Sequence, residues 1–221
     1  MKWLVVLLVL TVVLAGASLQ GRADMGPVFR VDFTNPGLTP AKWSIEMHPD
    51  GTAHFHSEPG EKTAVQLHAI EPGALDRDIR LSREFAERAF ETAHRHRFFN
   101  EACESHLKVA FQGLKTFSYA GADGTGSCEF NYSKSKDIQA LGESLVAVAS
   151  TVVEGARLEL LLQHDPLGLD QEMRFMKEAS EDGRLQQMGA IEPILTKLAE
   201  DEDVMERVRR DARQLLQDGA K

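Results

Sequence analysis

The chain has 221 residues, of which 43% are hydrophobic, so it can bury the core of one mid-sized domain or two small ones. Its 25 Lys and Arg residues and 34 Asp and Glu residues give a formal net charge of −9, and no run of Lys or Arg exceeds two residues. This balance argues against nucleic-acid binding, because neutralising phosphates requires clustered cations. Two cysteines are too few for a disulfide-dense mini-protein.

Residues 1–23 have the order of a secretory signal peptide: one cation, an apolar run, then small residues. Cleavage can follow Ala17 or Ala23. The alternative is a retained anchor in the inner membrane, since residues 3–19 carry no charge and a span takes about 20 residues. Either way, we expect the body of the chain to lie outside the cytosol, periplasmic or secreted. Membrane contact is expected only through a retained N-terminal segment.

Export places the two cysteines, Cys103 and Cys128, in oxidising surroundings that favour a bond between them. Closing the loop between them would stabilise the fold by about 3 kcal/mol in the chain-entropy model. A nucleophilic Cys103 with His94 or His106 as its base is the competing interpretation. The sequence predicts the disulfide Cys103–Cys128.

The first clear element is a β-hairpin over residues 42–57. A three-residue loop over 49–51 pairs Met47 with Ala53, and its last residue is a glycine that can adopt the left-handed conformation of a bulged turn. A two-residue loop would instead place Met47 opposite His54 and mix the apolar face with polar residues. Register is tightly specified wherever one face is buried, so we predict the three-residue loop.

Further strands are predicted at 65–69 and 75–81, followed by a helix over 83–97. Ser82 is its predicted N-cap, because a serine side chain can accept a hydrogen bond from the first turn. Five residues form the stripe that this helix is expected to bury: Phe85, Ala86, Ala89, Phe90 and Ala93.

A second set of strands is predicted after this helix. Leu107, Val109 and Phe111 alternate with polar or small residues, as in a half-buried strand. Two more strands are expected around 117–119 and 128–132, joined by a glycine-rich turn.

Near residue 134 the hydrophobic period changes from two to 3.6, which indicates helices. They are expected at about 136–164, 169–182, 191–200 and 204–216. The predicted fold class is α+β: a small antiparallel sheet packed with one helix, followed by an α-helical C-terminal region. The predicted division is a leader over 1–23, an α+β domain over 24–133 and a helical region over 134–221.

Two stretches resemble known families. Residues 190–217 are similar to one HEAT repeat, with the acidic turn Asp201-Glu202-Asp203 between its helices. HEAT proteins bind partners along stacked repeats, but a single unit has no neighbour to stack on, so we expect a helical hairpin packed on its own domain. Residues 41–132 resemble exported bacterial domains of unknown function, through Asp50-Gly51 and Phe98-Phe99. This resemblance implies the fold and the compartment, and no reaction.

The hairpin register also gathers polar side chains on the face opposite the core: Glu46, His48, His54 and His56. In the predicted strand at 65–69, His68 alternates with Val65 and Leu67, so it can lie on the same polar face. Imidazole and carboxylate ligands suit zinc, copper or nickel, so this face is a candidate zinc site. The competing interpretation is the ordinary solvated face of an antiparallel sheet.

The sequence contains no HExxH, GxSxG or P-loop motif. The leading hypothesis is an exported, non-enzymatic interaction or envelope-associated domain that binds an unknown protein partner and needs no cofactor. The alternative is a metal-binding or metal-dependent hydrolytic protein that uses the histidine face. Changing His54 and His56 to Gln should abolish function only under the alternative.

Overall fold

The computed structural model describes residues 26–60 and 70–219. The predicted leader, the predicted strand at 65–69 and His68 lie outside these ranges. The described residues form six strands and five helices: β1 (Val28–Thr34), β2 (Lys42–Met47), β3 (Thr52–Glu58), β4 (Leu75–Arg80), α1 (Arg83–Arg95), β5 (Leu114–Gly121), β6 (Gly124–Phe130), α2 (Lys136–His164), α3 (Leu169–Glu181), α4 (Glu192–Glu200) and α5 (Glu206–Gly219). The predicted α+β class is confirmed.

The strands form one antiparallel sheet in the order β4-β3-β2-β1-β5-β6. Strand β1 was not predicted, although Phe29, Val31 and Phe33 alternate along it and are buried. It pairs with β2 on one side and β5 on the other, and so joins the first hairpin to the second.

The register of the first hairpin is confirmed. Met47 pairs with Ala53, and the turn is closed by the Gly51 N–H donating to His48 O at 3.0 Å. Gly51 has φ +83°, the left-handed conformation that the three-residue loop requires.

One face of the sheet is covered by helices. Helix α1 begins at the predicted N-cap, where Ser82 Oγ accepts a hydrogen bond from the Phe85 N–H, and it buries the predicted stripe. The first half of α2 packs on the same face, so both helices contribute to one core with the strands. Edge-to-face contacts join Phe117 to Phe29, Phe99 and Phe130 at its centre.

The C-terminal helices form a second core with the end of α2. Leu158 and Leu161 of α2 pack with Met173 and Met176 of α3 and with residues of α4 and α5. Helix α2 therefore starts where the hydrophobic period changes, but its buried residues belong to both cores. Among the described helices, none combines the length and hydrophobicity needed to cross a membrane.

The strand predicted over Leu107, Val109 and Phe111 is wrong. The structure has no strand from residue 106 to 113, and these side chains are 52%, 40% and 58% exposed. The alternation of a strand is present, but within the described chain no neighbouring strand pairs with it.

Candidate functional site

Two surfaces remain as candidates: the polar face of the sheet, and the exposed segment of residues 106–112, called the apolar segment below. The polar face is the side of the sheet opposite α1 and α2. Glu46 and His54 face each other across β2 and β3 there, as predicted from the hairpin register. Arg30 of β1 lies beside Glu46, with 3.5 Å between Nη1 and Oε2.

The histidines of β3 are paired with two aspartates of β4. His54 Nδ1 lies 2.9 Å from Asp78 Oδ1, and His54 Nε2 lies 3.3 Å from Asp76 Oδ1. His56 Nδ1 lies 3.1 Å from the other oxygen of Asp76. Sequence reasoning missed both aspartates, although the alternation of Leu75–Arg80 places them on the polar face.

These contacts shift the ionisation of the group. The hydrogen bond to Asp78, followed by the nearby charge of Asp76, raises the pKa of His54. The hydrogen bond from His56 lowers the pKa of Asp76. All four side chains are open to water, since His54 is 47% and Asp76 70% exposed. Screening by water therefore keeps the pairs weak.

The predicted zinc ligands do not converge in the described part of the chain. Over residues 26–60 and 70–219, no group of three or more His, Cys, Asp and Glu side chains is placed to hold a metal ion. Both ring nitrogens of His54 face carboxylates instead. Beside this face, a groove of about 580 Å³ lies between the ends of β2–β4 and the start of α4. Its lining includes Glu46, His48, His54, Asp78, Glu192 and Pro193.

A disulfide anchors the chain just before the apolar segment. The predicted disulfide Cys103–Cys128 is confirmed; both residues are buried and their Cα atoms are 5.8 Å apart. It ties the chain just before the segment to strand β6. A disulfide is compatible with a protein outside the cytosol.

Glu104 fixes the start of the segment. Its carboxylate accepts hydrogen bonds from the Asn131 N–H at 2.7 Å, the His106 N–H at 3.1 Å and the Ser105 hydroxyl at 3.2 Å. These donors, the Asn131 N–H above all, lower the pKa of Glu104 to about 2. His106 follows with φ +55°, a conformation that such local hydrogen bonds help to stabilise.

Gly113 fixes the end. Its φ is +104°, and a Cβ there would lie 2.3 Å from the ring of Phe33, so only glycine fits. The buried Lys115 reinforces this end, since its Nζ donates to Gly113 O at 2.9 Å and to Asn131 O at 3.1 Å. Burial lowers the pKa of Lys115.

Asn131, the residue after β6, holds the segment from one side. Its Oδ1 accepts from the Gln112 N–H at 2.7 Å, and its Nδ2 donates to Ala110 O at 3.2 Å. One side-chain amide thus makes the pair of hydrogen bonds that a residue of a neighbouring strand would make. The spacing of these two bonds is that of an extended chain, and the Phe111 side chain between them is exposed.

No protein-family model matches the chain, and no curated protein is significantly similar to it.

Proposed function

We propose that this chain is an exported, non-enzymatic interaction domain that binds a protein partner through the apolar segment. The observation that carries the proposal is the exposure of Leu107, Val109 and Phe111 on a segment fixed at both ends. Exposed apolar side chains that lie together are typical of protein-binding surfaces, and a fixed segment loses little conformational entropy on binding. The export half of the proposal depends on residues 1–23 and is supported by the disulfide.

Photo-crosslinking in the native host tests the binding surface. A photoreactive phenylalanine analogue replaces Phe111 in one strain and Phe175 in a control strain. Both are phenylalanines with exposed rings, but Phe175 lies on α3 with Arg184 over its ring. We expect a discrete protein adduct from position 111 and none from 175. Equal adducts at both positions, or none at 111, would contradict the proposal.

The compartment has its own test. N-terminal sequencing of the protein from fractionated host cells should find a mature chain beginning at Ser18 or Asp24. A membrane-bound chain that retains Met1 would indicate the anchor instead. An intact chain in the cytosol with both cysteines reduced would overturn export.

Metal binding on the polar face is the competing proposal, and the closeness of His54 and His56 to Asp76 favours it. Calorimetry with zinc decides between the two. Saturable binding near micromolar zinc that is lost when His54 and His56 are changed to Gln would support a metal site. Heats of dilution alone would reject it.

A further inference from the structure

We propose that the apolar segment is an unpaired β-strand that adds to the same segment of a second copy of this chain, antiparallel, about a twofold axis at Val109. This inference rests on the proposed function, because it names the partner of the same surface.

The segment has the alternating sequence of a strand, and its second half already makes strand-like hydrogen bonds. Its apolar residues alternate over 107–111, and Asn131 already supplies hydrogen bonds on one side, to Ala110 and Gln112. Consecutive residues of an extended chain direct their backbone groups to opposite sides. The backbone of Phe111 therefore points to the side opposite Asn131.

On that side the backbone of the segment has hydrogen-bonding groups to offer. Within the described ranges, neither the N–H nor the C=O of Phe111 makes a hydrogen bond, and the C=O of Val109 makes none. Two hydrogen bonds have to open when the strand pairs. The Val109 N–H donates to Leu107 O at 3.0 Å across a three-residue turn, and the Leu107 N–H donates to Ser105 Oγ at 3.1 Å. An open strand edge of this kind is a ready template for another strand.

The segment complements itself. With Val109 opposite its own copy, Leu107 lies opposite Phe111, so apolar side chains meet apolar side chains on one face. Lys108 then faces Ala110, and no like charges stand directly opposite each other. A shift of one residue would put Lys108 opposite Val109 and lose this match.

Charge favours a second copy at this place. The chain has 34 acidic residues against 25 basic ones, so two copies carry like net charge and repel each other. Between Ser105 and Ala122 there is no acidic residue, and the exposed Lys108 lies within this stretch. This stretch therefore adds no negative charge of its own where two copies would meet, although Glu104 lies at its start.

The dimer should be weak. Two strands over 107–111 bury less than the roughly 1,200 Å² at the lower end of standard interfaces, which points to a dissociation constant on the order of 100 µM. Sedimentation velocity of the full chain, expressed with its own leader and purified as the cell exports it, should show a monomer–dimer equilibrium in this range.

Two variants of Phe111 separate strand pairing from simple hydrophobic adhesion. Phe111→Pro keeps an apolar side chain but removes an N–H that has no partner in the described monomer, so the fold should survive. Phe111→Leu keeps both. We expect the proline variant to weaken the dimer by at least about tenfold and the leucine variant to weaken it less. Equal dimerisation of the two variants would overturn strand pairing.

Cysteine crosslinking reports the register. Val109→Cys should form an intermolecular disulfide readily, because opposed Cα atoms in a hydrogen-bonded antiparallel pair lie about 5.5 Å apart, within the disulfide range. Met205→Cys is the control, since Met205 and Val109 are 39% and 40% exposed. Equal crosslinking at both positions would contradict the twofold axis at Val109.

Failure of this inference can be told from failure of the proposed function. A crosslinked adduct at position 111 that contains a different protein, together with a monomer in sedimentation, overturns self-pairing and leaves the interaction domain standing. No adduct at position 111 overturns both.

Discussion

The two candidate surfaces differ in whether their groups already have partners. On the polar face, the histidines of β3 have carboxylates from β4 within 3.3 Å, and Arg30 lies against Glu46. On the apolar segment, three apolar side chains are 40% to 58% exposed, and the backbone of Phe111 makes no hydrogen bond in the described chain. A surface whose groups satisfy one another has little left to offer a ligand. The apolar segment is therefore the stronger candidate for a binding surface.

Removing the disulfide should have the largest effect, because it lies under the apolar segment and leaves the polar face unchanged. Replacing Cys103 and Cys128 by Ser should lower the free energy of unfolding by about 3–4 kcal/mol, because the unfolded chain regains the freedom that the closed loop removes. It should also reduce the crosslinking yield at position 111, since the bond anchors the segment to β6. Denaturant unfolding measures the first effect. A loss below about 1 kcal/mol would show that other contacts anchor the segment.

The first hairpin could be predicted from the sequence because its turn signal is local. The disulfide could be predicted because the chain has only two cysteines. The Pro49-Asp50-Gly51 turn and the alternation around it determine one register, and two cysteines allow one bond. Strand β1 was missed although its alternation is equally regular, because half of its pairing is with β5, whose residues are 80 or more positions away.

The apolar segment shows where prediction from alternation fails. Its alternation is real, but alternation says only that a strand can form, and the structure supplies a single asparagine amide where a neighbouring strand would lie. The aspartates beside His54 were missed for a related reason. The register between β3 and β4 depends on a long connection, whose Pro59-Gly60 and Pro72-Gly73 signals mark breaks in the chain but do not determine a register.

Gly113 tests the end of the segment. Gly113→Ala should lower the free energy of unfolding by about 2–3 kcal/mol, because the new Cβ meets the ring of Phe33 and the residue has a left-handed φ. Gly183→Ala is the matched control, since Gly183 has φ +74° with open space around it, and should cost about 1 kcal/mol. Equal losses in the two variants would mean that the contact with Phe33 contributes nothing.

The pH dependence of stability tests the role of Glu104 at the start of the segment. The folded pKa of about 2 lies below the usual value of 4.5, so its contribution to stability is present above pH 4.5 and is lost as the pH falls toward 2. Glu104→Gln should therefore flatten the loss of stability over this range. Thermal unfolding between pH 2 and 5 measures it, with Glu129→Gln as the control for an exposed carboxylate of the sheet. An unchanged pH slope in Glu104→Gln would contradict this role of the carboxylate.

The polar face should give the smallest effect. His54 has a raised pKa, so its contribution to stability is present below pH 6.5 and is lost as the pH rises through the folded value. Because the side chains are exposed, His54→Gln should change the free energy of unfolding at pH 6 by less than about 1 kcal/mol. It should leave crosslinking at position 111 unchanged. A fall in that crosslinking would show that the polar face contributes to binding at the apolar segment.

The most direct test of the central claim is the ratio of photo-crosslinked adduct at position 111 to that at position 175 in living host cells. If the apolar segment is the binding surface, a discrete adduct forms at 111 and is absent at 175. If the two positions yield the same adducts, or if 111 yields none, the apolar segment is not the binding surface.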